Sequence, residues 1–231
     1  MQVKKSFNRY SYCLNNPLKY TDPTGQRYVD DIWDFDENGN FIGRIKTKEF
    51  DQIRIWDKDR TNILAETDKF AYRTITQHKQ PIANVEGTPT LLDIFRIQGD
   101  DAAKQVFEMF ATNTYGYKPD GTRTNLEWSH TKIGLEGSGS NMVGTSHSTN
   151  STAVGDYLFK TNYTMRYDAH NHPSGYPLPS FIPGDIGTTQ PWVEKFQNLQ
   201  LYIYIKEGSI FGAQQGYYRY DQSVRGVIVK P

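Results

Sequence analysis

Residues 170–185 read HNHPSGYPLPSFIPGD, and this stretch carries the strongest indication of both fold and chemistry. His170 and His172 are two residues apart, so their side chains share one side only if the chain is extended, with about 6.5–7 Å between the Cα atoms. Residues 163–168 are rich in aromatic and β-branched types and predict a strand, which the Pro and Gly after His172 bring to an end. We therefore expect both imidazoles at a strand end, directed to the same side.

A carboxylate follows the two imidazoles within the same stretch. Imidazole nitrogen and carboxylate oxygen suit Zn²⁺, and three protein ligands leave a fourth position for water, as in catalytic zinc sites. Asp185 is the expected third ligand beside His170 and His172. Two alternatives stay open: an isolated His-x-His pair can occur by chance, and Asp185 could only cap the helix that is expected at 186–197 from the spacing of its apolar residues.

The whole string resembles the signature of the JAMM (JAB/MPN) metallopeptidases, above all that of their RadC-like bacterial branch. The resemblance implies zinc held by the two histidines and Asp185, with Ser180 donating a hydrogen bond to the oxyanion. In the family the Asp usually follows the Ser by three positions, whereas here it follows by five. We expect this longer loop to turn at Pro183-Gly184 and to return the carboxylate to the metal, because a small extension adds little closure entropy.

The resemblance also implies an upstream glutamate that acts as general base from a strand. Glu127 follows a helical pattern at 101–111 and precedes a predicted strand at 142–146, which is the order of elements in the family. Glu136 is the competing acid, but it lies among glycines in a predicted loop. The plain alternative for Glu127 is a solvent-exposed strand residue, since Glu is usually exposed.

The chemistry implied is hydrolysis of an amide or isopeptide bond. Bound zinc would supply an acidified water and polarise the carbonyl, and Glu127 would transfer the proton to the leaving amine. A nucleophilic role for Ser174 is not expected, because no base with an orienting partner can be placed beside it. His130 and His147 are conceivable extra ligands, but each is isolated among Ser and Thr, so we interpret them as ordinary surface or hydrogen-bonded histidines.

The other end of the chain carries a second resemblance. Residues 8–25 read NRYSYCLNNPLKYTDPTG, which resembles the last segment of an Rhs repeat-associated core. In such proteins the core forms a large β shell, and a variable effector follows it. Asp22 could take part in releasing the effector, although Gln26 stands where many relatives carry Leu and a plain Pro-Gly turn is the simpler interpretation. Because Met1 opens directly onto this segment, we expect the chain to be part of a longer polypeptide.

Together the two motifs resemble the JAB-like toxins of bacterial polymorphic toxin systems. This combination implies a C-terminal toxin delivered as part of a larger Rhs protein and acting in the cytoplasm of a target cell. It also implies three partners: a protein or peptide substrate, an immunity protein, and the Rhs core shell of the parent polypeptide.

Composition limits the other possibilities. The chain has 231 residues and no formal net charge, so no overall attraction to nucleic acid is expected. The single cysteine, Cys13, excludes an intramolecular disulfide and a cysteine zinc site. No apolar run approaches the roughly 20 residues of a membrane span, and the first residues lack the apolar core of a signal peptide. A membrane partner is therefore not expected.

Residues 27–90 are polar and turn-rich. Asn38-Gly39 lies between alternating apolar residues and predicts a β-hairpin. Asp34, Asp36 and Asn38 also resemble the opening of a calcium loop, but Ile45 stands where such a loop requires a bidentate Glu. Another strand is predicted at 50–57.

Strands are also predicted beyond the metal motif, at 199–206, 216–221 and 224–229. The fold class expected is α/β, a mixed β-sheet with flanking helices of the JAMM type, preceded by a small β-hairpin-rich region. We expect three parts: 1–26 as the end of the Rhs-like core, 27–90 as a β-rich linker or accessory region, and 91–231 as the metallopeptidase domain.

The favoured function is a zinc peptidase or isopeptidase acting as the toxin of an Rhs-type effector. One alternative is a RadC-like protein of DNA metabolism, which the neutral charge and the Rhs-like segment disfavour. The other is a non-catalytic binding module that keeps the fold as a scaffold, which the intact set of ligands disfavours.

Overall fold

The computed structural model describes residues 30–47, 49–71, 74–85, 87–180, 184–207 and 211–221, and the structural statements below concern these residues. The Rhs-like segment at 8–25, which includes Cys13 and Asp22, lies outside the described residues. So does the strand predicted at 224–229.

A mixed sheet of seven strands dominates the described part of the chain, in the spatial order β15-β14-β13-β11-β12-β8-β5. Its strands are β5 (Ile75–Lys79), β8 (Asp93–Gln98), β11 (Trp128–Ile133), β12 (Ser140–Thr145), β13 (Met165–Asn171), β14 (Gln200–Ile205) and β15 (Gly216–Tyr220). Only β13 and β14 pair in parallel, and the other neighbours are antiparallel. The sequence had predicted all of these strands except β5 and β8, with shifted ends.

Three helices accompany this sheet: α1 (Asp100–Asn113), α2 (Val154–Lys160) and α3 (Asp185–Lys195). Mixed sheets with a few helices fit the α/β class expected of a JAB-like domain. Parallel neighbours require a crossover connection, and α3 lies in the one between β13 and β14. This crossover brings the start of α3 back to the end of β13, where His170 and His172 lie.

A smaller four-stranded sheet has the order β2-β1-β3-β4, formed by β1 (Asp30–Asp36), β2 (Phe41–Thr47), β3 (Gln52–Trp56) and β4 (Ile63–Glu66). The predicted hairpin is β1 and β2. Its turn is held by Asp36, whose carboxylate accepts the N–H groups of Asn38 and Asn40, both at 2.9 Å. Asp34 is bound by Arg54 and Trp56. Both carboxylates are engaged by hydrogen bonds from the protein itself, which leaves the calcium interpretation without support.

The remaining strands form two short antiparallel pairs, β6 (Ile82–Val85) with β7 (Thr88–Leu91) and β9 (Tyr115–Tyr117) with β10 (Arg123–Asn125). The sequence did not predict them, nor β4, because strands of three or four residues are too short to show a clear alternation.

Two apolar clusters occupy the interior. The first joins Phe35 and Ile53 of the small sheet to α1 and to Trp128 of β11. The second joins α2 and α3 to the other side chains of β13 and β14, with Trp192 among its members. Trp33 and Phe35 of the accessory region are thus core, with Phe41 and Phe70 packed against them, which agrees with the interpretation of these aromatic residues as core. Whether residue 90 separates two domains stays a prediction.

None of the helices built from the described residues combines the length and hydropathy of a membrane span.

Candidate metal centre

Three potential ligand atoms converge at the end of β13. Nε2 of His170 and Nε2 of His172 are 3.1 Å apart. The Asp185 carboxylate places one oxygen 3.3 Å from the first nitrogen and the other oxygen 3.2 Å from the second. Among the described residues, His170, His172 and Asp185 are the one group of His, Cys, Asp or Glu placed to hold a metal ion.

Strand geometry explains why the two histidines meet. His170 is the next-to-last residue of β13 and His172 directly follows the strand, so the alternation of side chains puts both on one side. Behind the site, the His172 ring nitrogen Nδ1 lies 2.8 Å from the Tyr176 carbonyl oxygen. That carbonyl can only accept, so Nδ1 carries the proton and Nε2 keeps its lone pair for a metal.

The loop between Ser180 and Asp185 returns the carboxylate as expected, although residues 181–183 lie outside the described part. The Ser180 N–H donates to the Asp185 carboxylate at 2.7 Å, and the Asp185 N–H donates to the Ser180 hydroxyl oxygen at 2.8 Å. Asp185 is the first residue of α3 and its side chain makes no capping bond, since Gly184 holds the cap position. The helix-cap alternative is therefore wrong for Asp185.

The electrostatics of the triad suit a cation. Burial alone would lower the pKa of His170, but the charge of Asp185, its hydrogen bond to the ring and the nearby acids Glu127 and Asp168 together outweigh burial and raise that pKa to about 9. Burial would raise the pKa of Asp185, but the two imidazoles outweigh burial and hold that pKa well below its usual range. Two imidazoles and one carboxylate that converge on one point are the donor set that Zn²⁺ accepts, because a bound cation displaces the proton that Asp185 otherwise stabilises on His170; the residues present therefore fit this metal.

Glu127 lies directly before β11 rather than inside it, and it is buried, with 7% of its surface exposed. The exposed-strand alternative for this residue is therefore wrong. Burial raises the pKa of its carboxyl to about 7, against the attraction of His170 and His172. The competing acid, Glu136, is exposed and lines a separate groove of about 960 Å³ beyond the opposite end of β11.

The remaining histidines are not additional ligands of this centre. His130 lies on β11 with its Nε2 2.8 Å from the Asn141 amide oxygen, and it neighbours Ser129, which pairs with His170. Because adjacent strand residues alternate, His130 faces the other side of the sheet. His147 has its Nε2 2.6 Å from Asp93, whose other oxygen is 2.7 Å from His78. Both are hydrogen-bonded histidines, as the sequence indicated.

Sequence reasoning missed two buried polar residues on β13. Asp168 accepts a hydrogen bond from the Thr131 hydroxyl at 2.5 Å, and burial raises its pKa to about 6 despite this bond. Its spacing of two before His170 was the available signal, because alternation puts both on one face. Asn171, between the two histidines, carried no signal of that kind.

Comparison with curated proteins and with solved structures gave no match. The sequence model of the family described as JAB-like toxin 1 matches residues 95–190, a span that contains His170, His172, Asp185, Glu127 and Ser180. The match supports a JAB-like toxin domain in this part of the chain.

Proposed function

We propose that this protein is a zinc-dependent peptidase or isopeptidase that acts as the C-terminal toxin of a bacterial Rhs-type effector. The observation that carries the proposal is the convergence of two imidazoles and a carboxylate beside the buried Glu127. The family match to a JAB-like toxin agrees with it, and the Rhs context rests on the sequence of residues 8–25.

Each group has a role in this proposal. A bound divalent cation would supply Lewis acidity, both for acidifying a water molecule and for polarising a carbonyl. Glu127 takes a proton from the attacking water. As the oxygen–carbon bond forms and the carbon–nitrogen bond breaks, Glu127 delivers that proton to the leaving amine, so that an acid and an amine result. A carboxyl group with a pKa near 7 suits both halves of this transfer.

Ser180 has the second role. Its hydroxyl oxygen already accepts the Asp185 N–H, which leaves the hydroxyl hydrogen free to donate. We assign that hydrogen to the oxyanion that develops on the substrate carbonyl. The same contact fixes Asp185, so Ser180 links the ligand and the reacting group.

The biological side of the proposal follows from the toxin resemblance. The parent Rhs core shell would carry the domain, a target-cell cytoplasm would be its place of action, and an immunity protein would protect the producing cell. The substrate would be a protein or peptide of the target cell.

The experiment measures metal and hydrolysis in parallel. Purified wild-type chain, Glu127→Gln, Asp185→Ala and the matched acid control Asp221→Ala are analysed for zinc and incubated with an amine-blocked peptide library. Cleavage of an amide or isopeptide bond exposes a new primary amine, or a secondary amine where the residue after the cleaved bond is proline. We expect about one zinc per chain in all but Asp185→Ala, and amine release only by wild type and Asp221→Ala. Growth inhibition in a bacterial host should follow the same order.

Two results would contradict the proposal. Full amine release by Glu127→Gln would show that Glu127 is not the base. Stoichiometric zinc in Asp185→Ala would show that Asp185 is not the third ligand. A wild-type chain that bound zinc without releasing amines would favour the non-catalytic binding module. Tight binding to branched DNA that persisted across a salt series would favour the RadC-like alternative.

A further inference from the structure

Asn171 stands between the two metal-binding histidines, but its side chain serves a different part of the site. It is buried, with 3% of its surface exposed. Its amide oxygen accepts the Trp128 N–H at 2.7 Å, and its amide nitrogen donates to the Leu126 carbonyl at 3.0 Å. These two backbone groups lie on either side of Glu127.

The position of this contact in the sheet explains why an amide is needed. The antiparallel pairing of β11 with β13 runs from Ile133↔Met165 to Ser129↔His170. Beyond that pair the ladder with β11 ends, whereas the pairing of β13 with β14 continues to Asn171↔Tyr204 and is followed by the His172 N–H, which donates to the Tyr204 carbonyl at 3.3 Å. The two backbones part here. A side-chain amide offers the donor and the acceptor of a peptide group, so Asn171 bridges the gap.

Two further bonds hold Glu127 itself. Its N–H donates to the Ser148 carbonyl at 2.8 Å, and its carbonyl accepts the Thr145 hydroxyl at 2.7 Å. The polar backbone groups from the Leu126 carbonyl to the Trp128 N–H are thus all bound. Two of these four bonds come from Asn171, the one partner that is covalently joined to both histidine ligands.

We propose that Asn171 is a positioning residue that fixes the Glu127 carboxylate relative to the centre formed by His170, His172 and Asp185. The inference rests on the proposed function and deepens it. Asn171 contacts no reacting atom in this scheme. It acts through its two hydrogen bonds to the backbone on either side of Glu127. These bonds attach the segment that carries the base to β13, which carries the histidines, so that the distance between base and histidines is fixed.

The experiment uses the full chain with zinc and the amine-blocked peptide library as probe. Asn171→Ala removes both bonds. Asn171→Asp keeps the shape and the acceptor for Trp128 but sets an oxygen against the Leu126 carbonyl, so it tests the donor if the alanine variant fails to fold. The control is Asn141→Ala, since Asn141 is also buried and binds Asp100 and the Gly139 carbonyl away from the metal centre.

We expect Asn171→Ala to bind about one zinc per chain and to keep its apparent KM, while kcat falls about 100-fold, because a displacement of about 1 Å has that effect on a catalytic group. The kcat of Asn171→Asp should fall by about tenfold, less than the roughly 100-fold that marks the lower end for complete loss of a general base. Asn141→Ala should keep kcat even where its stability falls. A merely structural role of Asn171 would lower the folded fraction of Asn171→Ala and Asn171→Asp and leave their kcat per folded chain unchanged.

The cobalt-loaded chain gives a readout that does not need turnover, because its visible absorption reports the surroundings of the ion. The spectrum of Asn171→Ala should shift in the same direction as that of Glu127→Gln, while Asn141→Ala keeps the wild-type spectrum. If wild type binds zinc but releases no amines, the proposed function fails and these spectra still test Asn171. Unchanged kcat per folded chain or an unchanged cobalt spectrum in Asn171→Ala would overturn the inference.

Discussion

Two histidines with similar burial have pKa values that shift in opposite directions. His130 and His170 are 2% and 6% exposed. Burial lowers the pKa of His130 to about 4, which the hydrogen bond to Asn141 does not reverse. Burial would lower the pKa of His170 as well, but the charge and hydrogen bond of Asp185, with the nearby acids Glu127 and Asp168, together raise it to about 9. One residue type thus gives a neutral core side chain on one face of the sheet and a candidate metal ligand beside an acid on the other.

The first prediction concerns the pH dependence that His130 adds to stability. Its folded pKa of about 4 lies below the ordinary value of 6.5, so the unfolded chain binds the proton first as the pH falls. The contribution of His130 to the free energy of unfolding is complete above pH 6.5 and is lost as the pH falls towards 4. Between pH 7 and pH 5 this group should remove about 2 kcal/mol from the free energy of unfolding.

Urea unfolding at both pH values checks this prediction in wild type and in His130→Gln, each with a metal chelator present. The variant should lose less stability between the two pH values, whatever its stability at pH 7. Equal losses in the two proteins would show that His130 is not held neutral.

At the scale of elements, the position of Asp185, the proposed third ligand, depends on how α3 packs. Asp185 opens this helix, and Trp192 lies two turns further along it in the second apolar cluster. The indole ring rests on Gly155 of α2, where a Cβ atom would stand only 2.4 Å from a ring carbon. The missing side chain of Gly155 is therefore what allows α3 to approach.

The second prediction is that Gly155→Ala displaces α3 and weakens both stability and metal binding. Overpacking of this kind lowers the free energy of unfolding by about 1–3 kcal/mol. Zinc affinity should fall as well, because Asp185 moves with its helix. Denaturant unfolding and a competition titration with a zinc-binding dye measure the two effects.

Gly43→Ala is the matched control, since nothing lies within 4 Å of a Cβ atom at Gly43. It should leave zinc affinity unchanged. A Gly155→Ala chain with wild-type stability and affinity would mean that the contact with Trp192 does not set the position of α3.

At the scale of the whole molecule, the small sheet and the seven-stranded sheet share a core. The Phe35 ring packs against Phe95 and Phe110 with centroids 5.4 and 5.1 Å away, and Phe110 stacks on Trp128 at 4.1 Å. Trp128 directly follows Glu127. A continuous line of aromatic rings therefore joins the accessory region to the residue beside Glu127, the proposed base.

The third prediction is that Phe35→Ala destabilises the metal centre together with the small sheet. Removing a buried Phe side chain costs about 3–5 kcal/mol through lost contacts and the cavity left behind. Far-UV circular dichroism and zinc release should follow one unfolding transition, shifted to lower denaturant by the substitution.

Two separate transitions, with zinc retained after the first, would contradict the shared core. That result would instead support a boundary near residue 90 between an accessory region and an independent metal-binding domain.

The sequence by itself determined the local parts of the site. The spacing of His170 and His172 on a strand, and the placing of Asp185 at a helix start, follow from alternation and helix signals that operate over a few residues. The hairpin, α1 and the strands β11 to β15 were predictable for the same reason, whereas β5, β8 and α2 were not predicted and the short strands β4, β6, β7, β9 and β10 gave too few residues to show a pattern.

Only the tertiary structure decided which distant groups meet. The sequence offered Glu127 and Glu136 as acids, and the register Ser129↔His170 puts the first beside the ligands and the second beyond the far end of β11. The same register sends His130 to the opposite face and leaves Asn171 to bridge two parting strands. Side-chain alternation is fixed by the chain itself, but the pairing of strands about forty residues apart depends on packing across the whole sheet.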